Sequence, residues 1–123
     1  MQQKLIKINN KILKVKVANN PISQSIGLMF KKHLKQDEGM IFKFYFEIKL
    51  SFWNLFTFIP LDIIWINKDN IIVDITKNTK PYTKPTSLQM YVSRRPYKYV
   101  LEVNENSLIK YNVKIGDIIT FID

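Results

Sequence analysis

Residues 61–76 read LDIIWINKDNIIVDIT, two β-branched runs on either side of the polar tetrapeptide Asn67-Lys68-Asp69-Asn70. Such runs form antiparallel hairpins, because branched side chains pack well on a pleated surface and Asn and Asp accept tight turns. The chain is therefore built on strands. In the second strand Ile71, Val73 and Ile75 are expected on one face, opposite Ile72, Asp74 and Thr76. In the first, Asp62 shares a face with Ile64 and Ile66, while Leu61, Ile63 and Trp65 take the other.

Upstream, the run SFWNLFTFIPLDIIW at 51–65 is densely apolar, and Asp62 stands in it two residues beyond Pro60. An unpaired buried carboxylate costs several kcal/mol or holds a proton, so Asp62 needs a partner. Two readings stay open. Backbone N–H groups or a lysine bond it, or it anchors a ligand in a pocket. The apolar segment 50–66 falls short of the ~20 residues that cross a bilayer and carries Asn54, Pro60 and Asp62, so no membrane span is expected.

Toward the N-terminus, Leu5–Ile8 and Ile12–Val17 flank Asn9-Asn10 and predict an opening hairpin, with Leu13, Val15 and Val17 dry and Lys14 and Lys16 wet. Asn20 as N-cap and Pro21 at the first helical position predict a helix with Ile22, Ile26, Met29 and Phe30 on one face. Gly27 inside it implies close approach to another backbone. Residues 31–39 then read as a loop into a strand that begins at Met40. Downstream, Pro81, Pro85 and Pro96 make 77–96 a surface excursion. Tyr97–Val103 is a further strand, with Tyr99, Leu101 and Val103 opposite Lys98, Val100 and Glu102. A short helix capped by Asn104 and a turn at Gly116-Asp117 lead to a last strand, Ile118–Ile122. The expected fold is mainly β (α+β), one domain over 1–123, barrel-like or sandwich-like, with two short helices.

Composition narrows the chemistry. The 123 residues contain no cysteine and a single histidine, His33, which excludes disulfides, thiolate catalysis and multi-histidine metal sites. No calcium loop, glycine-rich phosphate loop or nucleophile motif is present, so no catalytic residue, metal or cofactor is assigned. Acid-pair hydrolysis needs two facing carboxyls, for which Asp62 and Glu102 are the strand-borne candidates. Candidate binding residues are Lys31, Ser51, Trp53, Thr57, Asp62 and Glu102, lining a pocket for a small ligand. Lysines from residue 4 onward break any secretory core, and a cytoplasmic location is expected.

The net charge is +9, from 19 basic and 10 acidic residues. Between Lys77 and Lys98 stand Lys77, Lys80, Lys84, Arg94, Arg95 and Lys98 without one acid, interleaved with tyrosines. Such a tract suits nucleic acid or an acidic protein partner, although without a recognition fold a solvated basic loop is the favoured reading.

In order along the chain stand Gly27-Leu28-Met29-Phe30-Lys31, Glu38-Gly39-Met40-Ile41-Phe42, Ser51-Phe52-Trp53, Pro60-Leu61-Asp62-Ile63-Ile64, Tyr99-Val100-Leu101-Glu102-Val103-Asn104 and Gly116-Asp117. This order resembles the domain of unknown function 192 family over about residues 12–122. The resemblance implies a compact β-rich domain, often exported, with no established activity, and makes Asp62 the family's recurrent acid after Pro-Leu. Family members usually read Phe-Trp-Met-Lys-Asn-Thr where this chain has Phe52-Trp53-Asn54-Leu55-Phe56-Thr57, so the Lys and Asn are absent. Lys31 stands where Arg is common, and Asn106 lies near a usual glycine. Lys31 is the expected partner of Asp62.

If the basic tract docks nucleic acid, glutamine at Lys80, Lys84, Arg94 and Arg95 together lowers the salt needed to elute the protein from single-stranded DNA. Unchanged elution removes that role.

Overall fold

The computed structural model describes residues 2–122, apart from the side chains at 108 and 109. Its strands are β1 (Gln3–Ile8), β2 (Lys11–Ala18), β3 (Glu38–Ile48), β4 (Phe52–Trp53), β5 (Leu61–Ile66), β6 (Ile72–Thr76), β7 (Met90–Tyr91), β8 (Tyr97–Asn104) and β9 (Thr120–Ile122). Two short helices are α1 (Pro21–Ile26) and α2 (Ser107–Lys110). Seven strands form one sheet in the order β6-β5-β8-β3-β2-β1-β9, while β4 and β7 pair separately.

The expected hairpins are present. Asn9 and Asn10 both take positive φ between β1 and β2, as a tight two-residue turn requires. Between β5 and β6 the Asn67 carboxamide oxygen accepts from the N–H groups of Asp69 and Ile71, and Asn70 turns left-handed. The β6 alternation is interrupted: Trp65 pairs with Asp74 and Ile66 with Ile72, so Val73 bulges out of register. Ile72 and Ile75 thereby reach the same core, and Val73 packs on the other.

Strands β2 and β3 run parallel, joined through α1, and the other pairings are antiparallel. The sheet curls until its edges touch at the single bridge Ile71–Ile118, beside the bonds Ile72 N to Asp117 O and Ile119 N to Asn70 O. It does not close into a barrel. One core of Ile6, Leu13, Val15, Ile64, Ile66, Leu101 and their neighbours fills the inside of the curl. A second, with Phe42, Leu61, Ile63, Trp65, Tyr97 and Val100, lies on the opposite face of β3, β5 and β8. Phe52 of the β4–β7 pair covers it, with its ring edge-on to Trp65 at 5.4 Å and to Phe42 at 5.0 Å. Such pairs add about 0.5–1.5 kcal/mol each beyond area burial.

Four local expectations are corrected. α1 is capped at Asn20 by reciprocal side-chain bonds with Ser23, but it ends at Ile26, with Gly27 at φ 50°. Ile22, Ile26 and Phe30 are consequently exposed rather than aligned on a dry face. Gly27 approaches the Phe42 ring, not a backbone; the glycine that meets backbone is Gly39. The excursion at 77–96 is not wholly irregular, since it holds a 3-10 turn at Pro85–Ser87 and strand β7. Asn104 does not cap α2; its carboxamide donates to the Leu34 carbonyl, and Asn106 takes the left-handed turn that leads into the helix.

Gly39 of β3 pairs with Val103 of β8 and leaves no room for a side chain. A Cβ there would lie 2.8 Å from the Glu102 carbonyl oxygen and 3.1 Å from Val103 Cγ1. Gly39→Ala should lower unfolding free energy by about 1–3 kcal/mol in urea titrations, and an unchanged midpoint would contradict this packing.

Candidate functional site

Alternation along β5 and β8 distributes the two candidate acids. Ile63 pairs with Glu102 and Asp62 with Val103, so Glu102 projects with Ile63 and Leu61, and Asp62 with Ile64 and Ile66. The two carboxyls occupy opposite faces of the sheet and form no catalytic pair.

Asp62 is 1% exposed, at the start of β5. Its carboxylate accepts from Asn78 N–H at 2.9 Å, and the next residue, Thr79, is bonded to both the N–H and the carbonyl of Leu61. Asp62 therefore helps fasten the chain leaving β6 onto the start of β5, which is the backbone-bonded reading. Lys31 is not its partner. It lies in a shallow cleft with Leu28, Leu34, Glu38 and Met40 at the start of β3, and β8 stands between that strand and β5.

Ser51, Trp53, Thr57 and Glu102 converge on a cavity of about 410 Å³ between the sheet and the β4–β7 pair. Phe42 and Phe44 of β3, Leu61 and Ile63 of β5 and Glu102 of β8 form its floor. The walls are Phe52, Trp53, Asn54 and Leu55 with Met90 and Tyr91 on one side, and Gln24 to Met29 on the other. Trp53 is 48% exposed here, while Trp65 is fully buried.

Polar side chains that the sequence reading passed over hold these walls. Asn54, 4% exposed, donates to the Lys80 and Ser87 carbonyls and accepts from Gln89 N–H, tying β4 to the excursion that carries β7. A buried amide inside an apolar run was the available signal. Gln24 binds the carbonyls of Ala18 and Lys43 and pins α1 against β2 and β3. The Tyr97 hydroxyl donates to the Leu50 carbonyl at 2.7 Å and accepts from Leu50 N–H, fixing one lip; burial pushes this phenol up to about 12.

Glu102 differs from all of these. It is 8% exposed, its open surface faces the cavity it lines, and among the described residues no hydrogen bond or ion pair reaches its carboxyl. Burial pushes it up to about 7. No Lys, Arg, His or Asp lines the cavity with it. The basic tract lies elsewhere. Lys77, Lys80, Lys84 and Arg95 are exposed, Lys98 lies over the Tyr99 ring, and Arg94 is committed to the buried Asp74 through its guanidinium at 2.9 Å and its N–H at 2.7 Å. Burial alone would raise Asp74, but these bonds and that from Ile75 N–H hold it below the ordinary carboxylate range. His33 is an exposed loop residue.

Between about pH 4.5, where an unfolded glutamate titrates, and about 7, folded Glu102 binds more protons than the unfolded chain, so stability falls as pH rises through that window. The contribution is roughly 3 kcal/mol. Asp74 acts at the acid end with the opposite slope, its stabilisation being lost as pH falls. Glu102→Gln should remove the decline between pH 5 and 8 in urea titrations and make the variant the more stable protein at pH 8. Parallel pH profiles would show that Glu102 is not buried as described.

Among the described residues no helix is long and apolar enough to cross a membrane, and no group of three or more acidic or histidine side chains is placed to hold a metal. The fold matches a crystal structure from Sinorhizobium meliloti, provisionally named a transcription regulator, with TM-score 0.89 and 27% identity over 98% of this chain and 94% of that one. It matches equally a protein of unknown function from Novosphingobium aromaticivorans, with TM-score 0.89 and 28% identity over 98% and 86% of the two chains. A UPF0127 protein of Pyrococcus furiosus is 31% identical over 107 residues, 85% of this chain and 84% of the relative. The DUF192 family model, described as "Uncharacterized ACR", matches residues 4–121, and the chain belongs to that family.

Proposed function

We propose that the protein is a small-ligand binding module whose site is the cavity beneath the β4–β7 pair, with Glu102 rather than Asp62 as its polar anchor. The observation that carries this reading is the coexistence of a roomy, mostly apolar cavity and one unpartnered buried carboxyl opening into it. Specific ligand sites have this character, with apolar walls that supply affinity and a few polar groups that fix orientation. The volume of about 410 Å³ suits a molecule of fragment to small-drug size.

Among the described residues no histidine and no second acid lines the cavity. Ser51 and Thr57 line the cavity, but the single histidine lies in a separate shallow cleft with Lys32 and Leu34, where it does not line this one. Docking of nucleic acid on the basic tract remains the second reading, for which the provisional name of the Sinorhizobium meliloti protein offers some support. The commitment of Arg94 to Asp74 counts against it.

N-phenyl-1-naphthylamine, a neutral dye that brightens in apolar surroundings, tests the cavity without interference from the net positive charge. Native protein should bind it saturably, and Ser51→Trp, which places an indole in the cavity from an exposed position, should abolish most of the enhancement while preserving the melting temperature. Equal enhancement in a folded Ser51→Trp variant would place the dye elsewhere and remove the reading.

A further inference from the structure

We infer that the ligand of this cavity is an amphiphilic organic amine, whose ammonium group pairs with Glu102 while its apolar body lies between the sheet and the β4–β7 pair. The inference rests on the binding reading above and adds the ligand's chemical class.

The first argument is charge. In a chain of net charge +9 with 19 basic side chains, the cavity is lined by none of them, and its one acidic residue is Glu102. An anionic ligand would meet a carboxyl and no counter-charge. A cationic ligand would meet the single group that lacks one. The positive exterior weakens the approach of a cation only modestly, since exposed charges are screened over about 8 Å at physiological ionic strength.

The second argument concerns the partner that Glu102 lacks. The other buried polar side chains described near the cavity are bonded within the protein: Asn54 to three backbone groups, Thr79 to Leu61, Tyr97 to Leu50. Glu102 sits mid-strand between β3 and β5, where the backbone N–H groups serve the ladders and none turns toward it. Leaving a buried carboxyl unmade is expensive, and the donor that satisfies it best is a charged one, because charge-assisted bonds are about twice as strong as neutral ones. A lone carboxyl is a poor cage for a metal ion, which needs several oxygen ligands.

The third argument is the wall. Phe44, Phe52, Trp53 and Tyr91 present aromatic surface around the same space. Aromatic faces attract ammonium groups as well as hydrocarbon, which favours an amine over a purely apolar occupant.

Three probes of one shape separate the possibilities: 3-phenylpropylamine, 3-phenylpropan-1-ol and 3-phenylpropanoate, each competing against N-phenyl-1-naphthylamine at pH 8. In native protein the amine should displace the dye at about tenfold lower concentration than the alcohol, and the carboxylate should be weakest. In Glu102→Gln the amine and alcohol should become equivalent. Leu55→Lys, which sets a lysine on the cavity wall, should cost the amine its advantage while the dye still binds. If the amine and alcohol displace equally well in native protein, the amine inference is overturned and the apolar-cavity reading stands. If the dye binds but none of the probes displaces it, the inference is likewise overturned. If neither the dye nor any probe binds native protein, the cavity reading itself falls.

Discussion

The constraint on which the rest of the molecule depends is that β8 is buried on both faces. It lies between β3 and β5 in the sheet, so its odd residues Tyr99, Leu101 and Val103 must fill the curl while Val100 and Glu102 meet the β4–β7 side. A strand in that position has no solvent side on which to hide a charge. Glu102 is tolerated because the face it meets is not fully packed: a cavity stands where close packing would demand more hydrocarbon. Gly39 makes the same place possible from the neighbouring strand, by leaving the Glu102 carbonyl within 2.8 Å of where a Cβ would be.

The cavity persists because its lid is fastened by polar bonds rather than by apolar fill. Asn54 and Thr79 secure the segment that leads from β6 into β7, Tyr97 holds Leu50, and Gln24 holds α1. Each of these bonds satisfies backbone groups of the segments it joins. Phe52 supplies the apolar part of the attachment through its edge contacts with Phe42 and Trp65. A lid held in this way can leave space beneath it without collapsing onto the sheet, as a lid held by hydrocarbon alone would not.

Local chemistry was legible, and assembly was not. The Asn9-Asn10 and Asn67–Asn70 turns, the Asn20 cap and the faces of β5 and β8 follow from side-chain preferences within a few residues, and the structure has them. The family resemblance was legible for the same reason, as short motifs in order. The parallel pairing of β2 with β3 and the bulge at Val73 are set by partners far away in sequence and leave no local mark. The cavity draws its lining from α1, β3, β4, β5, β7 and β8, so Ser51, Trp53, Thr57 and Glu102 were readable as polar or aromatic candidates but their convergence was not. Asp62 drew attention by its apolar neighbours, yet a residue at a strand entrance finds backbone donors, whereas Glu102, less conspicuous in YKYVLEVN, sits where none is free.

The departure from the family motif at 54–56 acquires a physical reading. Position 56 lies at φ 51°, in the left-handed region that asparagine enters readily and a bulky residue rarely does. The family's usual asparagine suits that backbone, and this chain keeps the conformation with Phe56. What offsets the strain is aromatic: Phe56 stacks on Phe30 at 5.2 Å, itself left-handed and bonded through its N–H to the Phe56 carbonyl, and meets the Tyr82 ring edge-on at 5.4 Å. The family's usual lysine falls on Leu55, which lines the cavity beside Glu102. A lysine at that place would put a cation in reach of the same space, and leucine withdraws it while leaving the acid. Two neighbouring changes thus have different consequences, one conserving the shape of the loop by new ring contacts and the other altering the charge of the cavity that the loop encloses.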